Sequence, residues 1–374
     1  MKIAFVTGSY PPMRCGVGDY TYRLIQTLTE LGHTIDVFTR VEANEIKNAN
    51  LQVFPVVRRW TLRCAFSLYC FIRRVAPDIV HIQYPTAGYY FNLGPHVLAF
   101  LFRISGMPVI TTIHEFRYNH FLRRCSIIVF LLMSSKVIFT TSEEKNYVAK
   151  RFPFCKRKFI VINLGSNIQK IEDKVKANLN IISYFGLFHH TKSIEKIIDA
   201  FKILLDVNPD FRLRLIGDIS PRDIHYFEEI KQYAKNHIGE EKIEWFVGKN
   251  FEEISGALKE SCVCILLYPD GVSFRRTSFL ATLELGIPCV TTKGESTPSE
   301  LLDDENVLFA SAPIEIAKKI QYLRDNIRIR ERIVKNILTL SKRFSWEMIG
   351  KRHVELYQEV VESDEHRTNS NDNG

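Results

Sequence analysis

Two adjacent arginines, Arg275 and Arg276, stand just before an apolar helical stretch, "TSFLATLEL" (Thr277 to Leu285), which Gly286-Ile287-Pro288 stops. A helix N-terminus already carries positive partial charge, so cations placed there are unfavourable unless an anion joins them. A guanidinium fork matches a phosphate or carboxylate through paired hydrogen bonds. The chemistry expected of this loop is therefore anion binding, with two solvated arginines as the plainer alternative. A second candidate follows the first strand, in "GSYPPMRCGVGDYTYRLIQTLTELGH". Gly16 and Gly18 allow a tight turn and a close backbone approach, and a helix then runs to about Leu31, where Gly32 stops it. Free N–H groups at such a turn can hold an anion. The turn is not GxGxxG, so a dinucleotide oxidoreductase is a poor match, and a bare glycine turn is structural as often as functional.

The other reactive residue types offer less. Of the 8 cysteines, Cys262 and Cys264 share one face of an apolar strand and the rest are scattered, which fits buried, reduced thiols and not a zinc site. The 11 histidines show no HExxH pattern, and the His189-His190 pair is expected on a loop surface.

Elements that alternate along the chain must position these residues. The 374 residues are too many for one typical core and suit two domains. Short strands rich in Val, Ile and Phe recur: "KIAFVTG", "TIDVFTR", "DIVHIQY", "PVITTIH", "KVIFTTS" and "KFIVINL", then "IISYFG", "FRLRLIGD", "IEWFVG", "CVCILLYP" and "IPCVTT". Near-continuous apolar runs suit strands buried on both faces, as in parallel sheets. The run "SIIVFLLM" is a buried strand or helix. Amphipathic helices intervene, such as "TKSIEKIIDAFKILL" from Thr191 to Leu205. The pattern predicts an α/β fold of two Rossmann-like, doubly wound domains, whose sheets present their carboxyl ends to a ligand cleft. The boundaries read as an N-terminal domain over 1–165, a polar linker over 166–180, a C-terminal domain over 181–343, a final helix over 344–362 and a disordered tail over 363–374.

Ten pieces carry a resemblance in order along the chain. They are "CGVGDYTYRLIQTLTELGHTIDVFT", "DIVHIQYP", "VITTIHE", "FTTSEEKNYV", "VINLGSN", "YFGLFHHTKSIEKIIDAF", "LRLIGD", "WFVGKNFEEISGAL", "LELGIPCVTT" and "FSWEMIGKRHVELYQEV". From about residue 1 to 360 the chain resembles glycosyltransferase family 4, retaining enzymes of the GT-B fold that use nucleotide-diphosphate sugars. The resemblance implies that Lys192 contacts the donor diphosphate, that His114 lies beside the transferring sugar, and that the Gly16-Gly18 turn closes on donor and acceptor. It implies catalytic roles for His114 and Lys192, to which the chain's own helix mouth adds Arg276. Donor contacts are expected from Gly186, Ser273, Phe274, Arg275 and Thr277, and acceptor contacts from Gln83 and Tyr84. The final helix should return to the N-terminal domain.

Departures from the family pattern are as informative. Leu187 stands where a basic residue is usual, Ser273 and Ala281 where two glutamates are usual, and Asn167 where an aspartate is usual. Arg275 and Arg276 then read as a replacement clamp for the donor diphosphate. Without a DxD pair at a strand end, neither a metal nor a further cofactor is expected. The resemblance also implies a front-face route, in which the leaving phosphate helps deprotonate the acceptor, so no enzymic nucleophile is expected. Two alternatives stay open: a nucleotide-sugar epimerase or hydrolase, and a degenerate sugar-nucleotide binder without turnover.

Charge suggests the partners. The chain carries a net +8, but residues 1–165 hold 21 Lys and Arg against 9 Asp and Glu, leaving the remainder mildly acidic. "RRWTLRCAFSLYCFIRRV" (Arg58 to Val75) and "FLRRC" mix arginines with aromatic and aliphatic residues, as on an anionic membrane surface. A core helix with solvated arginine ends has the same periodicity. No nucleic-acid recognition module is visible. No signal peptide and no spanning apolar run is read, so the expected location is cytoplasmic, as a peripheral enzyme on the inner face of the membrane. The expected acceptor is a lipid-linked glycan or another saccharide.

Overall fold

Strand β1 (Lys2–Thr7) shows how the chain sorts itself. Alternate side chains of a strand point to opposite faces, and here Ile3 and Phe5 enter one hydrophobic cluster while Ala4 and Val6 enter another. A strand buried on both faces belongs at the centre of a layered α/β unit. The computed structural model describes residues 1–13, 15–117, 119–168 and 176–371. It divides into two units, Met1–Leu164 with Trp346–Gly374, and Gly165–Ser345.

In the first unit, β1 is followed by α1 (Gly16–Glu30), β2 (Thr34–Arg40), β3 (Ile46–Lys47), β4 (Leu51–Val57), α2 (Leu62–Val75), β5 (Ile79–Tyr84), α3 (Gly94–Ile104), β6 (Val109–Ile113), α4 (Phe121–Met133), β7 (Lys136–Phe139), α5 (Ser142–Arg151) and β8 (Phe159–Val161). The sheet order is β3-β4-β2-β1-β5-β6-β7-β8, parallel except where β3 pairs with β4. Strands β3 and β4 lie beyond those read from the sequence. Pro55 breaks the β4 pattern, and it is tolerated near the sheet edge where the β2–β4 register shifts by a residue. The ambiguous run "SIIVFLLM" falls within α4, which buries Ile127, Phe130 and Leu131.

The second unit holds β9 (Asn178–Phe185), α6 (Ile194–Val207), β10 (Arg212–Gly217), α7 (Ile224–Ile238), β11 (Ile243–Val247), α8 (Phe251–Lys259), β12 (Ser261–Leu266), α9 (Thr277–Leu285), β13 (Cys289–Thr291), β14 (Leu308–Phe309), α10 (Pro313–Asp325) and α11 (Ile327–Ser341). Its strands run β11-β10-β9-β12-β13-β14, all parallel. Both units are therefore doubly wound parallel sheets of the Rossmann-like kind. Part of the expected linker, 169–175, lies outside the described residues, and Asn178 to Asn180 already belong to β9.

The last helix, α12 (Trp346–Asn371), belongs to the first unit, where Ile349, Leu356, Tyr357 and Val360 join the cluster that contains Tyr20, Leu24 and Leu28 of α1. Three buried aliphatic side chains contribute roughly 5–9 kcal/mol as an upper bound, so α12 is part of that core and not an appendage. Its span differs from the expected 344–362. Phe344 stays with the second unit, its ring tilted against that of Phe274 with centres 4.7 Å apart. The helix also continues through residues expected to be disordered, a stretch with neither Pro nor Gly before Gly374 to stop it.

Candidate functional site

In the second unit the chain winds outward from β9 to β10 and β11, then returns to the other side of β9 with β12. The loops that leave β9 and β12 thus flank the point where the winding reverses, the usual ligand crevice of an open α/β sheet. Lys192 lies on the first loop and Arg275 and Arg276 on the second. The fold brings Lys192 and Arg276 to one aromatic ring: Lys192 Nζ is 5.1 Å and Arg276 Cζ 4.9 Å from the centre of Tyr268. The Tyr268 hydroxyl bonds Ser278 Oγ at 2.8 Å, which locks the ring against the first turn of α9. Burial, then the nearby Arg276, lower the Lys192 pKa, while Asp270 offsets them in part. A bound anion would relieve that strain on the ammonium.

The two arginines already have an anion, and it comes from the chain itself. Arg275 Nη2 donates to Asp270 Oδ2 at 2.5 Å, and Arg276 donates to Asp270 Oδ1. Burial pushes the Asp270 carboxyl up, but Arg276, Ser296 and Arg275 together hold it below the usual value. Ser296 Oγ adds a bond at 3.0 Å. The loop is fixed at backbone level too: Gly271 has φ +87°, and a Cβ there would lie 2.4 Å from Gly294 N. Asp270 was missed in the sequence, where "PDG" reads as a turn. The clamp is thus a charged group of three cations and one carboxylate.

Among the described residues no side chain caps α9 at Arg276, so its first N–H groups keep their donor capacity. Ser273 is 3% exposed and its Oγ finds no partner among the described residues. A buried, unsatisfied hydroxyl beside a helix start suits a ligand that completes it. Thr277 is exposed at that helix start, whereas Phe274 is interior, packed on Phe279 and Phe344. Phe274, expected among the donor contacts, is a core residue. Ala281, at a position where a glutamate was expected from the resemblance, is completely buried and its methyl group offers no polar atom. Gly186 donates its N–H to Ile216 O at 3.0 Å, and Leu187 after it is exposed. His189 and His190 meet Asp223, one ligand atom from each lying within 4.8 Å of the others, a grouping that could hold a metal ion.

In the first unit, His114 follows β6, and its ring meets Tyr20 edge to face at 5.1 Å. Tyr20 sits one turn into α1, behind Gly16 and Gly18, so the glycine turn and the histidine share a neighbourhood. Among the described residues nothing lies within 4 Å of a Cβ placed on Gly16, while a Cβ on Gly18 would lie 3.1 Å from Ser9 O. His114 Nε2 donates to Gln83 Oε1 at 2.8 Å. With Gln83 Nε2 turned to His81, one set of tautomers satisfies every contact. Gln83 and Thr112 then donate to His81 Nε2 at 3.3 and 2.7 Å, and His81 Nδ1 donates to the Tyr357 hydroxyl at 2.6 Å. His114 is left with Nδ1 as an acceptor. Burial, then His353, lower its pKa to about 3, so it is neutral at physiological pH.

Gln83 and Tyr84, expected as acceptor contacts, are interior: Gln83 orients His114, and Tyr84 Oη pairs with Ser126 Oγ at 3.1 Å. His81, His353 and Tyr357 were not singled out, because a lone apolar-flanked histidine in a sequence gives no sign of its partners.

Residues 15–170 match the model of Glycosyltransferase Family 4, and residues 167–339 match that of Glycosyl transferases group 1. The chain is a GT-B glycosyltransferase of the family 4 type. An uncharacterised glycosyltransferase of Methanocaldococcus jannaschii is 24% identical over 382 residues, covering 96% of this chain and 99% of that protein. Among solved structures, a glycosyltransferase of Rickettsia africae superposes with TM-score 0.75 at 16% identity, over 96% of this chain and 98% of that one. An Anabaena protein, HepE, solved with UDP and glucose, gives TM-score 0.68 at 16% identity over 96% and 100%. For a family 4 glycosyltransferase, the first unit is the family 4 half and the second the group 1 half.

Proposed function

We propose that this glycosyltransferase moves a hexosyl group from a nucleotide-diphosphate sugar to a lipid-linked glycan or other saccharide acceptor, with retention of configuration, in surface polysaccharide or glycolipid synthesis. The observation that carries the donor side is the convergence of Lys192 and Arg276 on Tyr268, beside the uncapped start of α9 and the unsatisfied Ser273 hydroxyl. Related structures hold UDP, in accord with a nucleoside diphosphate here. As the glycosidic bond to the leaving diphosphate breaks, negative charge grows on its bridging oxygen. Lys192, Arg276 and the α9 N–H groups neutralise that charge. The acceptor hydroxyl attacks from the same face and passes its proton to the leaving phosphate, so no enzymic nucleophile takes part. Neutral His114 orients the sugar through its Nδ1 acceptor, and Gln83 holds the ring.

The acceptor side rests on the first unit's surface. Phe91 and Phe121 are each 75% exposed and Leu122 69%, with Arg123 stacked 4.9 Å over Phe91. Apolar groups rimmed by cations suit the interface of an anionic bilayer. Helix α2 contributes less than its sequence suggests, because Ala65, Leu68 and Ile72 face the core and Trp60 is buried, leaving Leu62 and Phe66 outside. Among the described residues no helix is long and apolar enough to cross a membrane. A peripheral enzyme on the cytoplasmic face accounts for these features.

Thermal melts with a panel of nucleoside diphosphates and nucleotide sugars test the donor side, since a bound ligand raises Tm. No shift with any of them would end the proposal. A second reading, a binder without turnover, is favoured by Asp270 holding both arginines and by Ala281; it requires binding with no transfer to any acceptor. Product formed without an acceptor would point to an epimerase or hydrolase. Transfer is expected to need no metal. Activity abolished by a chelator and restored by a divalent ion would overturn that, and would direct attention to His189, His190 and Asp223.

A further inference from the structure

At the carboxyl edge of the first unit's sheet, Arg40, Arg58 and Arg59 share the wall of a cavity of about 460 Å³ with Trp60, Tyr90 and Asn92. Arg40 ends β2, and its side chain is only 12% exposed. Its ion-pair partner Glu42 is 45% exposed, and the Tyr90 ring lies 5.2 Å from its guanidinium. Arg58 and Arg59 follow β4 and form no ion pair among the described residues. Among the described residues no acidic side chain lines the cavity. Three cations held together against one outlying carboxylate repel one another unless an anion enters.

The backbone adds to that field. Helix α2 begins two residues after Trp60, and α3 begins at Gly94, whose N–H donates to Trp60 O at 3.0 Å. Two helices of more than two turns thus start at one wall, and their positive ends favour negative charge there. Trp60 is 1% exposed, and its indole Nε1 has no partner among the described residues. The cavity is larger than a bare phosphate needs and falls in the size range of small-molecule sites. Exposed Leu62 and Phe66 lie on the first turns of α2, immediately after it.

We infer that this cavity receives the phosphate or diphosphate group of the acceptor, gripped by Arg58 and Arg59 with Arg40 behind them. The inference rests on the first unit's being the acceptor side and names the chemistry that side selects. The phosphate comes either from a lipid headgroup or from a soluble phosphorylated saccharide, and the experiment separates them.

Two double variants of the full chain serve the test: Arg58→Gln with Arg59→Gln in the cavity, and Arg73→Gln with Arg74→Gln at the far end of α2, which removes equal charge elsewhere. In the soluble arm, inorganic pyrophosphate is titrated calorimetrically with the donor site saturated by whichever nucleoside diphosphate stabilises the protein most. In the vesicle arm, co-sedimentation compares phosphatidylcholine vesicles doped with phosphatidic acid, an exposed phosphomonoester, or with phosphatidylserine. The cavity variant should lose about tenfold or more in pyrophosphate affinity, or lose the preference for phosphatidic acid, while the α2-end variant keeps both. The first result assigns a soluble phosphate and the second a lipid headgroup. Equal behaviour of the two variants in both arms overturns the inference. If instead no nucleoside diphosphate binds the parent protein but cavity-dependent phosphate binding persists, the donor assignment fails and the cavity stands.

Discussion

Asp270 holds Arg276 at the mouth of α9, so the cation aimed at a donor diphosphate is already paired with a carboxylate of its own loop. Any diphosphate must compete with, or share, that pair. Asp270→Asn keeps a hydrogen-bond acceptor and removes the charge. Nucleoside-diphosphate binding should tighten by about 0.5–1.5 kcal/mol, the scale of a partly exposed charge at this distance. Calorimetry reads it, and unchanged or weaker binding would show that Asp270 organises the clamp more than it opposes the ligand.

Lys192→Ala and Arg276→Ala should each weaken nucleoside-diphosphate binding by about 1.5–3 kcal/mol, the worth of a charge-assisted contact. Their effects on the free protein differ. Among the described residues Lys192 makes no ion pair, so its loss should leave Tm nearly unchanged, whereas Arg276→Ala deprives Asp270 of one of two arginines and should cost about 1 kcal/mol. Intact nucleotide affinity in both variants would reduce the arginine mouth to a solvated loop.

His114 and Gln83 should separate chemistry from support. His114→Ala is expected to cut turnover strongly while nucleoside-diphosphate affinity stays close to that of the parent, because the partner proposed for it is the sugar. Gln83→Leu should lower turnover less and lower stability by roughly 1–3 kcal/mol, since buried donors and acceptors on His114 and His81 lose their partner. Equal loss of turnover and fold stability in His114→Ala would mark that residue as structural.

Acid should loosen the first unit. Burial lowers His353 and His96 from 6.5 to about 4, and burial with His353 lowers His114 to about 3. The unfolded chain therefore binds these protons first: stability is full above pH about 6.5 and is lost as pH falls toward the folded values. His353→Phe removes one such group, whose Nε2 has no partner among the described residues. Melts at about pH 7 and about pH 5 should show a smaller drop in the variant, by up to roughly 1 kcal/mol per pH unit. An identical drop would exclude His353 as a source of acid sensitivity.

The exposed aromatic group offers a test of membrane docking independent of charge. Phe91→Ser with Phe121→Ser should reduce binding to phosphatidylglycerol-containing vesicles by about tenfold or more, given roughly 25 cal/mol per Å² of apolar surface withdrawn from water. Binding that survives this change yet disappears at high salt would make the attraction purely electrostatic.

Much of this architecture follows from local pattern. Near-continuous apolar runs separated by amphipathic stretches can only be buried between layers, so eleven strands and two wound units are legible in the sequence alone. Local chemistry also set the start of α9 at Thr277 and its end at Gly286, which adopts φ +69°. Strand β4 was hidden, because a proline speaks against a strand unless the edge position and register shift that accommodate it are known. The anion that answers Arg275 and Arg276 was also hidden, five and six residues away, since whether a turn aspartate folds back on its neighbours depends on the loop's packing against Gly294 and Ser296. Further still from sequence was the chain from His114 through Gln83 and His81 to Tyr357. Its last pair is 276 residues apart, and hydrogen bonds a few ångströms long are decided by how sheets and helices pack, which no residue spacing records.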